Sequence, residues 1–196
     1  MGMFAVDLMG QHLEFQTRPE LFSPDHADRG TLAMLSCVRF EPGMRVMDLG
    51  CGCGLVGVLA ARLCGEGNVL MSDVDPRAVE TARRNAAANG VPGARAVVSD
   101  GFAQVDEAGF DLILSNPPYQ SDFSVAKAFI EKGFNRLKPG GRLLMVTKRR
   151  EWYKNKLIAI FGGVKIREID GDFVFEAQRR SAGYARRRRD VAATKM

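Results

Sequence analysis

Apolar residues along the chain form short runs that are separated by stretches of helical spacing. Short runs that end at glycine or at a polar residue are typical of buried parallel strands. We predict strands at 45–49, 69–74, 91–98, 110–114 and 143–146, with helices at 55–63, 76–89, 123–137 and 149–161. Pro76 suits a first helical turn and Gly90 a helix end, and 138–141, Lys-Pro-Gly-Gly, is expected to stop the third of these helices.

The last apolar stretch, 164–176, alternates apolar and polar positions across Asp170-Gly171, a dipeptide that favours a tight hairpin. Strands separated by helices indicate a mainly parallel sheet with right-handed crossovers, and the hairpin adds an antiparallel edge. Before residue 44 only 30–40 has helical spacing. We therefore predict an α/β domain at 44–180, preceded by an N-terminal extension at 1–43 and followed by a tail at 181–196.

Composition is that of an ordinary globular protein of one domain, with 196 residues, 46% hydrophobic and 26% charged. The net charge of +5 is concentrated at the end of the chain, where 179–196 holds seven basic residues and only Asp190 as an acid. We expect the basic tail to be disordered and to attract phosphate without reading sequence.

The cysteine pattern argues against a secreted or zinc-stabilised protein. The four cysteines are irregularly spaced, two of them lie in a glycine-rich segment, and the chain has only two histidines. No apolar run approaches the roughly 18 residues of a membrane span, and the N-terminus lacks a signal-peptide pattern. We expect a cytoplasmic protein with no metal and no membrane partner, and the sequence leaves the oligomeric state open.

A glycine-rich loop follows the first predicted strand of the domain. Its glycines let the backbone turn sharply and approach a ligand, and Asp73 ends the next strand about 20 residues on, where a carboxylate can bind ribose hydroxyls. The loop thus predicts a nucleoside-containing cofactor. The candidate contacts here are Asp48, Gly50, Cys51, Gly52, Gly54 and Asp73.

Charge and spacing indicate which cofactor this is. A dinucleotide would place a pyrophosphate beside Asp48, and the glycine spacing is GxGxG instead of GxGxxG. S-adenosyl-L-methionine has no phosphate and carries a sulfonium and an ammonium, which suit nearby carboxylates. After the third strand, Asp100 can accept from the adenine amino group and Phe102 can lie against the ring, with Gly101 between them.

The segment Asn116-Pro117-Pro118-Tyr119 follows the fourth strand. Two prolines fix the backbone and remove two donors, so carbonyl oxygens can face a ligand from a rigid frame. Together with the Asn116 side-chain carbonyl they can accept both hydrogens of a planar amino group, and Tyr119 can stack on the attached ring. These four residues are the predicted catalytic residues for methyl transfer to an amine nitrogen.

The chain resembles the class I methyltransferases with an Asn-Pro-Pro-Tyr motif, and among them the small-domain type related to ribosomal RNA guanine-N2 methyltransferases. The resemblance runs from about Phe15 to Arg180 and is carried by Leu21-Phe22-Ser23, Asp28-Arg29-Gly30-Thr31, 48–54, Ser72-Asp73-Val74-Asp75, Ser99-Asp100-Gly101 and 115–119. It implies a Rossmann-like sandwich with a seven-stranded, mainly parallel sheet and an antiparallel last strand. It also implies methylation of guanine N2 in small-subunit (16S) ribosomal RNA, with Val74 and Asn116 among the cofactor contacts and Phe22 near the substrate.

Basic and aromatic residues after the fifth strand suggest where RNA would bind. Lys148, Arg149 and Arg150 can neutralise phosphates and Trp152 can stack on an unpaired base.

Three other interpretations of the function stay open. Tyr119 is common among methyltransferases that act on glutamine amides, such as those of release factors. An RNA-binding module without turnover fits the intact Asp73 and Asn116 less well. A nicotinamide oxidoreductase fits the glycine spacing of the loop less well.

Overall fold

The computed structural model describes residues 2–18, 26–117 and 123–185. Its strands and helices are, in chain order, β1 Gly2–Leu8, β2 Gln11–Thr17, α1 Arg29–Ser36, β3 Val46–Leu49, α2 Leu55–Cys64, β4 Val69–Asp73, α3 Pro76–Ala88, β5 Arg95–Val98, β6 Phe110–Ser115, α4 Phe123–Arg136, β7 Leu137–Thr147, α5 Arg150–Phe161, β8 Lys165–Ile169 and β9 Asp172–Gln178. None of the helices in these ranges is long and apolar enough to span a bilayer.

Seven strands form one sheet in the order β5-β4-β3-β6-β7-β9-β8. The first five are parallel neighbours, whereas β9 runs antiparallel to both β7 and β8. The predicted α/β fold, with a mainly parallel sheet and an antiparallel last strand, is confirmed. The hairpin turns at Asp170-Gly171 as predicted, and both residues have positive φ. However, β9 inserts between β7 and β8, so the edge strand is β8.

Helices cover both faces of this sheet. α1, α2 and α3 bury apolar side chains on one face, and α4 and α5 do so on the other. Alternation along a strand supplies both cores: in β3, Val46 packs with the first group of side chains and Met47 with the second. In such sheets the carboxyl ends of the parallel strands form the crevice in which ligands bind.

An antiparallel hairpin of β1 and β2 precedes the sheet. Sequence patterns identified no element before residue 30, so this hairpin was missed. The signal that could have found it was the alternation within β2, where Leu13 and Phe15 are buried between exposed neighbours. The turn at Met9-Gly10, where both residues have positive φ, carries no Asn-Gly or Asp-Gly signature.

Two asparagines, Asn85 of α3 and Asn89 at the C-cap of that helix, attach the hairpin to the rest of the molecule. Asn89 accepts from the Glu14 N–H and donates to the Glu14 carbonyl, and Asn85 makes the same pair of bonds with Gln16. Asn85 Nδ2 also donates to the carbonyl of Cys53 at 2.8 Å. A single buried side chain therefore links the hairpin to the glycine-rich loop.

The helix predicted at 30–40 is α1 and ends at Ser36, and two predicted strands begin at other residues than expected. β5 begins at Arg95 instead of residue 91, because the Val91 N–H donates to the Ala86 carbonyl and extends the end of α3. β7 begins at Leu137, directly after α4 ends at Arg136. The segment 138–141, which was expected to stop the helix, therefore lies within the strand. A register shift against β6 accommodates it.

Candidate active site

A cavity of about 560 Å³ opens at the carboxyl ends of β3, β4 and β6. It is walled by the glycine-rich loop, the loop after β5, the start of α1, part of α4 and Phe4 of β1. Ten of the residues singled out from the sequence line it: Asp48, Gly50, Cys51, Gly52, Asp73, Val74, Asp100, Gly101, Asn116 and Pro117. Segments that are far apart in the chain thus meet at one sheet edge.

The glycine-rich loop forms an open cradle. Gly50 and Gly52 have φ of 78° and 53°, and a Cβ on either would meet no atom within 4 Å, so bare backbone faces the cavity. The N–H groups of Gly50 and Cys51 both donate to the Ser72 carbonyl on the neighbouring strand. Gly54, which caps α2, is outside the cavity lining, and a Cβ there would lie 2.9 Å from that of Ala82. Its role in the structure is close packing between α2 and α3.

Asp73 ends β4 and fastens the loop from the side. Its Oδ2 accepts from the Gly52 N–H at 2.9 Å, and its Oδ1 accepts from the Asp75 N–H at 3.0 Å. A carboxylate has about four acceptor positions, so two more remain. Asp75 in turn caps α3 by accepting from the Arg77 N–H. Asp73 therefore shapes the loop and keeps acceptor capacity for a ligand in the cavity.

Asp48 lies at the floor of the cavity, 3% exposed. Its Oδ2 accepts from the Gly57 N–H at 2.9 Å. Burial raises the pKa of this carboxyl to about 7, and the nearby charge of Asp73 adds to the rise, whereas the Gly57 bond opposes it. A cation bound above Asp48 would favour its ionised form.

The cysteines of the loop are protonated thiols. Burial raises the pKa of Cys53 to about 11 and raises that of Cys51 well above the usual range, and the Asp48 charge acts in the same direction. All four cysteines of the chain are free. Among the described residues, no three His, Cys, Asp or Glu side chains are grouped as metal ligands would be.

The loop after β5 contributes Asp100 and Gly101 to the cavity wall. Asp100 is exposed at the rim, where its carboxylate can accept from a ligand. The ring of Phe102 is buried in the core beneath and is not part of the lining. The aromatic side chain that reaches the cavity here is Phe129 of α4, and a Cβ on Gly101 would lie 3.0 Å from its ring.

Asn116 follows β6 and has an asymmetric set of contacts. Its Nδ2 donates to Asp28 Oδ1 at 2.6 Å and to Thr31 Oγ1 at 2.9 Å. Its Oδ1 is buried and has no hydrogen-bond partner among the described residues. Pro117 lines the cavity beside it. The side chain thus keeps a buried acceptor without a partner, beside the cavity that Asn116 and Pro117 help to line. Pro118 and Tyr119 lie outside the described residues.

Residues 12–175 match the sequence model of the family described as "Methyltransferase small domain". The chain belongs to this family. A relative of this methyltransferase chain is the ribosomal RNA small subunit methyltransferase C of Hahella chejuensis, 34% identical over 79% of this chain and 46% of the relative. Another is the ribosomal RNA large subunit methyltransferase G of Streptomyces avermitilis, 35% identical over 79% of this chain and 42% of the relative.

A solved structure agrees with the fold of this small-domain chain. It is the 16S rRNA N2 G1207 methyltransferase (RsmC) of T. thermophilus in complex with AdoMet and guanosine, with a TM-score of 0.82 and 28% identity over 91% of this chain and 50% of that one. The Rossmann-like methyltransferase architecture that the resemblance implied is thereby confirmed. The chain spans about half the length of the curated relatives it matches.

The predicted RNA-binding residues of this small-domain methyltransferase lie outside the cavity lining. Trp152 is half-buried and stacks on Phe123, the first residue of α4, with ring centroids 4.4 Å apart. The Arg149 guanidinium lies 4.8 Å from the centroid of the same ring, and Arg150 pairs with Glu151. Lys148 is exposed beside them. Trp152 and Arg149 therefore pack at the start of α4, and Phe22 lies outside the described residues.

Sequence reasoning missed three residues that build the site. Asp28 and Thr31 entered only as part of a resemblance, although an aspartate directly before a stretch of helical spacing is an N-cap signal, and Asp28 does cap α1. Asn85, which holds the loop at Cys53, has no signal in the sequence that distinguishes it from a surface asparagine. Its role depends on a contact with the hairpin that precedes it by 69 residues.

Proposed function

We propose that this chain transfers a methyl group from S-adenosyl-L-methionine to an exocyclic amino group, namely N2 of a guanine in small-subunit (16S) ribosomal RNA. The observation that carries the proposal is the buried, unpartnered Asn116 Oδ1 at one end of a cavity whose other end is the glycine cradle with Asp73. The names of the relatives and of the T. thermophilus structure support the substrate class.

The charges around the cavity favour this cofactor over a dinucleotide. The described lining contains four aspartates, Asp28, Asp48, Asp73 and Asp100, and neither lysine nor arginine. A pyrophosphate would meet like charges there, whereas a sulfonium and an ammonium would meet opposite ones. The nicotinamide oxidoreductase reading loses support for the same reason. Acceptor positions on Asp73 suit ribose hydroxyls, and the bare backbone of Gly50 and Gly52 suits close approach.

When bound, S-adenosylmethionine supplies an electrophilic methyl group on a sulfonium. Asn116 Oδ1 would accept one N–H of the amine and hold its nitrogen in line with that methyl group. Positive charge develops on this nitrogen during the transfer, and the Asn116 carbonyl dipole stabilises it. We assign no general base, since the methylated nitrogen is acidic enough to lose its proton to a carbonyl or to water. Pro117 would keep the frame rigid.

The test incubates the protein with labelled methyl donor and, separately, small ribosomal subunits, large subunits, naked ribosomal RNA and a release factor. Mass spectrometry of the digests then identifies the modified nucleoside or amino acid. We expect N2-methylguanosine in small-subunit RNA, with the Asn116→Ala variant as the inactive control. Label only in a protein glutamine would overturn the RNA assignment.

A second candidate substrate is large-subunit ribosomal RNA. It is favoured by the relative from Streptomyces avermitilis, whose name refers to the large subunit and which is as similar to this chain as the small-subunit relatives are. Methylguanosine confined to large-subunit RNA in the same assay would establish it. Either RNA substrate agrees with a cytoplasmic enzyme that has RNA or a ribosomal subunit as its partner.

A further inference from the structure

The amide of Asn116 is held by two residues of the N-terminal segment. Asp28 and Thr31 precede it by 88 and 85 positions, and both accept hydrogen bonds from its Nδ2. The same Asp28 Oδ1 accepts from the Thr31 N–H at 2.8 Å and caps α1. The first turn of α1 and the end of β6 are therefore joined through one carboxylate oxygen.

Of these two partners, only Asp28 selects the orientation of the amide. An ionised carboxylate accepts and cannot donate, so the group that faces it must be the Nδ2 of Asn116. With the amide turned over, Asn116 Oδ1 would lie at hydrogen-bond distance from a carboxylate oxygen, and two acceptors would repel each other. The Thr31 hydroxyl can donate or accept and would tolerate either orientation. Asp28 thereby determines that Oδ1 lies on the side of the amide away from α1, where it is buried and has no partner among the described residues.

We propose that Asp28, assisted by Thr31, is a positioning residue that fixes the Asn116 amide so that its Oδ1 accepts the substrate amine. The inference rests on the proposed function, since it assigns the amine acceptor to Asn116. The negative charge beside Nδ2 also polarises the amide and strengthens Oδ1 as an acceptor, because hydrogen bonds in a chain reinforce one another. Asp28 acts on the reaction only through Asn116.

The first test is a double-mutant cycle on kcat. We expect Asp28→Ala, assayed at saturating methyl donor, to lower kcat about 100-fold, which is the scale for loss of one preorganised dipole. Thr31→Val should lower kcat less. Asp28→Asn, whose amide oxygen can occupy the place of the carboxylate oxygen, should retain more activity than Asp28→Ala. In an Asn116→Ala background, Asp28→Ala should have no further effect on kcat.

A matched control separates positioning from helix capping. Asp75 caps α3 as Asp28 caps α1, and its carboxylate accepts from the Arg77 N–H. Asp75→Ala should lower the melting temperature by an amount similar to Asp28→Ala. Its effect on kcat should be equal in the wild-type and Asn116→Ala backgrounds. If Asp28→Ala also has equal effects in the two backgrounds, its role is structural and the proposal is wrong.

A second measurement needs no turnover and so separates this inference from the proposed function. The side-chain amide signals of Asn116 in a ¹H–¹⁵N spectrum are identified by their loss in Asn116→Ala. We expect Asp28→Ala and Thr31→Val to shift these signals and to speed their exchange with water, whereas Asp75→Ala leaves them unchanged. If Asp28→Ala left the Asn116 amide signals unchanged, the positioning role would be wrong even if RNA is methylated. Signals that respond while no RNA is methylated would support it and reject the substrate.

Discussion

The two ends of the cavity are built in different ways. At the proposed cofactor end, the Gly57 N–H donates to Asp48 and the Gly52 N–H to Asp73, both within one βαβ unit, and Asn85 adds a bond to the Cys53 carbonyl. The amine end depends on Asn116, whose amide is held from the N-terminal segment 85 to 88 residues away. The hydrogen bonds of Asp48 and Asp73 at the cofactor end thus lie within one βαβ unit, whereas the amide at the amine end is held by a segment 85 to 88 residues away.

The two ends are also joined by a hydrogen bond beyond the pairing of β3 with β6. Ser115 Oγ, the last side chain of β6, donates to the Leu49 carbonyl at the start of the glycine-rich loop, at 2.8 Å. This bond fixes the distance between the strand ends without involving the side chains that face the ligand. We therefore expect substitutions at one end to leave binding at the other largely intact.

The largest effect is expected at the amine end. Asn116→Ala removes the buried acceptor and should lower kcat about 10²- to 10³-fold, or about 3–4 kcal/mol of transition-state stabilisation. Methyl-donor affinity, measured by calorimetry, should stay near the wild-type value because the contacts of Gly52 and Asp73 are unchanged.

If Asn116→Ala lowered methyl-donor affinity by the same factor as kcat, the two ends of the cavity would not act independently. Asn116→Asp serves as a second variant, because its carboxylate still offers an acceptor to the amine. Its other oxygen would face Asp28 Oδ1, where the present contact is 2.6 Å, so like-charge repulsion should lower kcat as well.

Sequence patterns singled out the glycine-rich loop and Asp73, which line the cavity, because their signals are local. The glycines of 48–54 and the aspartate at the end of the next strand are recognisable in one short stretch. The parallel sheet and the hairpin at Asp170-Gly171 were predicted for the same reason. Each parallel strand of the sheet carries its own apolar run, and this hairpin has a turn dipeptide.

What the sequence did not predict depends on contacts between distant segments. Asp28 has the signature of a helix cap, and only the fold brings its carboxylate to Asn116. Phe102 was expected beside the cofactor, yet its side chain is in the core while Phe129, on a helix, reaches the cavity. Which of two rings faces a cavity depends on how α4 packs on the sheet, and that cannot be read from spacing.

The second-largest effect is a pH-dependent stability at the cofactor end. The pKa of Asp48 is about 7 in the folded protein against 3.8 for the free side chain. Between these two pH values Asp48 is protonated in the folded protein and ionised in the unfolded chain. Its contribution to stability therefore falls as pH rises from about 4 to about 7. Asp48→Asn removes this loss and should raise the free energy of unfolding at pH 8 by on the order of 3 kcal/mol relative to its effect at pH 4.

Melting temperatures of wild type and Asp48→Asn, without ligand, test this at pH 4 and pH 8. Asp75→Asn is the control, because Asp75 has a lowered pKa and lies near the surface. An Asp48→Asn difference that is the same at both pH values would contradict the raised pKa. The same variant should bind the cationic methyl donor more weakly, which would show that stability is sacrificed for binding at this end.

Next in size is Asp73→Ala. The substitution removes the acceptor of the Gly52 N–H and the positions left for ribose, so methyl-donor affinity should fall about 10- to 100-fold, the equivalent of one or two charge-assisted hydrogen bonds. At saturating donor, kcat should remain within a few-fold of wild type, the reverse of the Asn116→Ala pattern. A fall in kcat at saturation that matches the loss of affinity would mean that Asp73 also orients the reacting groups.

The smallest effect is expected outside the cavity, at the basic segment Lys148, Arg149 and Arg150. Removing one side chain that binds a phosphate should reduce the slope of log K against log salt by about 0.7–0.9. Because Arg149 packs on Phe123 and Arg150 pairs with Glu151, we expect the triple alanine variant to reduce the slope for RNA binding by less than the equivalent of three phosphates. The triple variant of Arg39, Arg84 and Arg95, whose side chains are exposed and away from the cavity lining, makes the same change in net charge and should leave the slope unchanged. Equal slopes for both triple variants and wild type would place the RNA elsewhere on the surface.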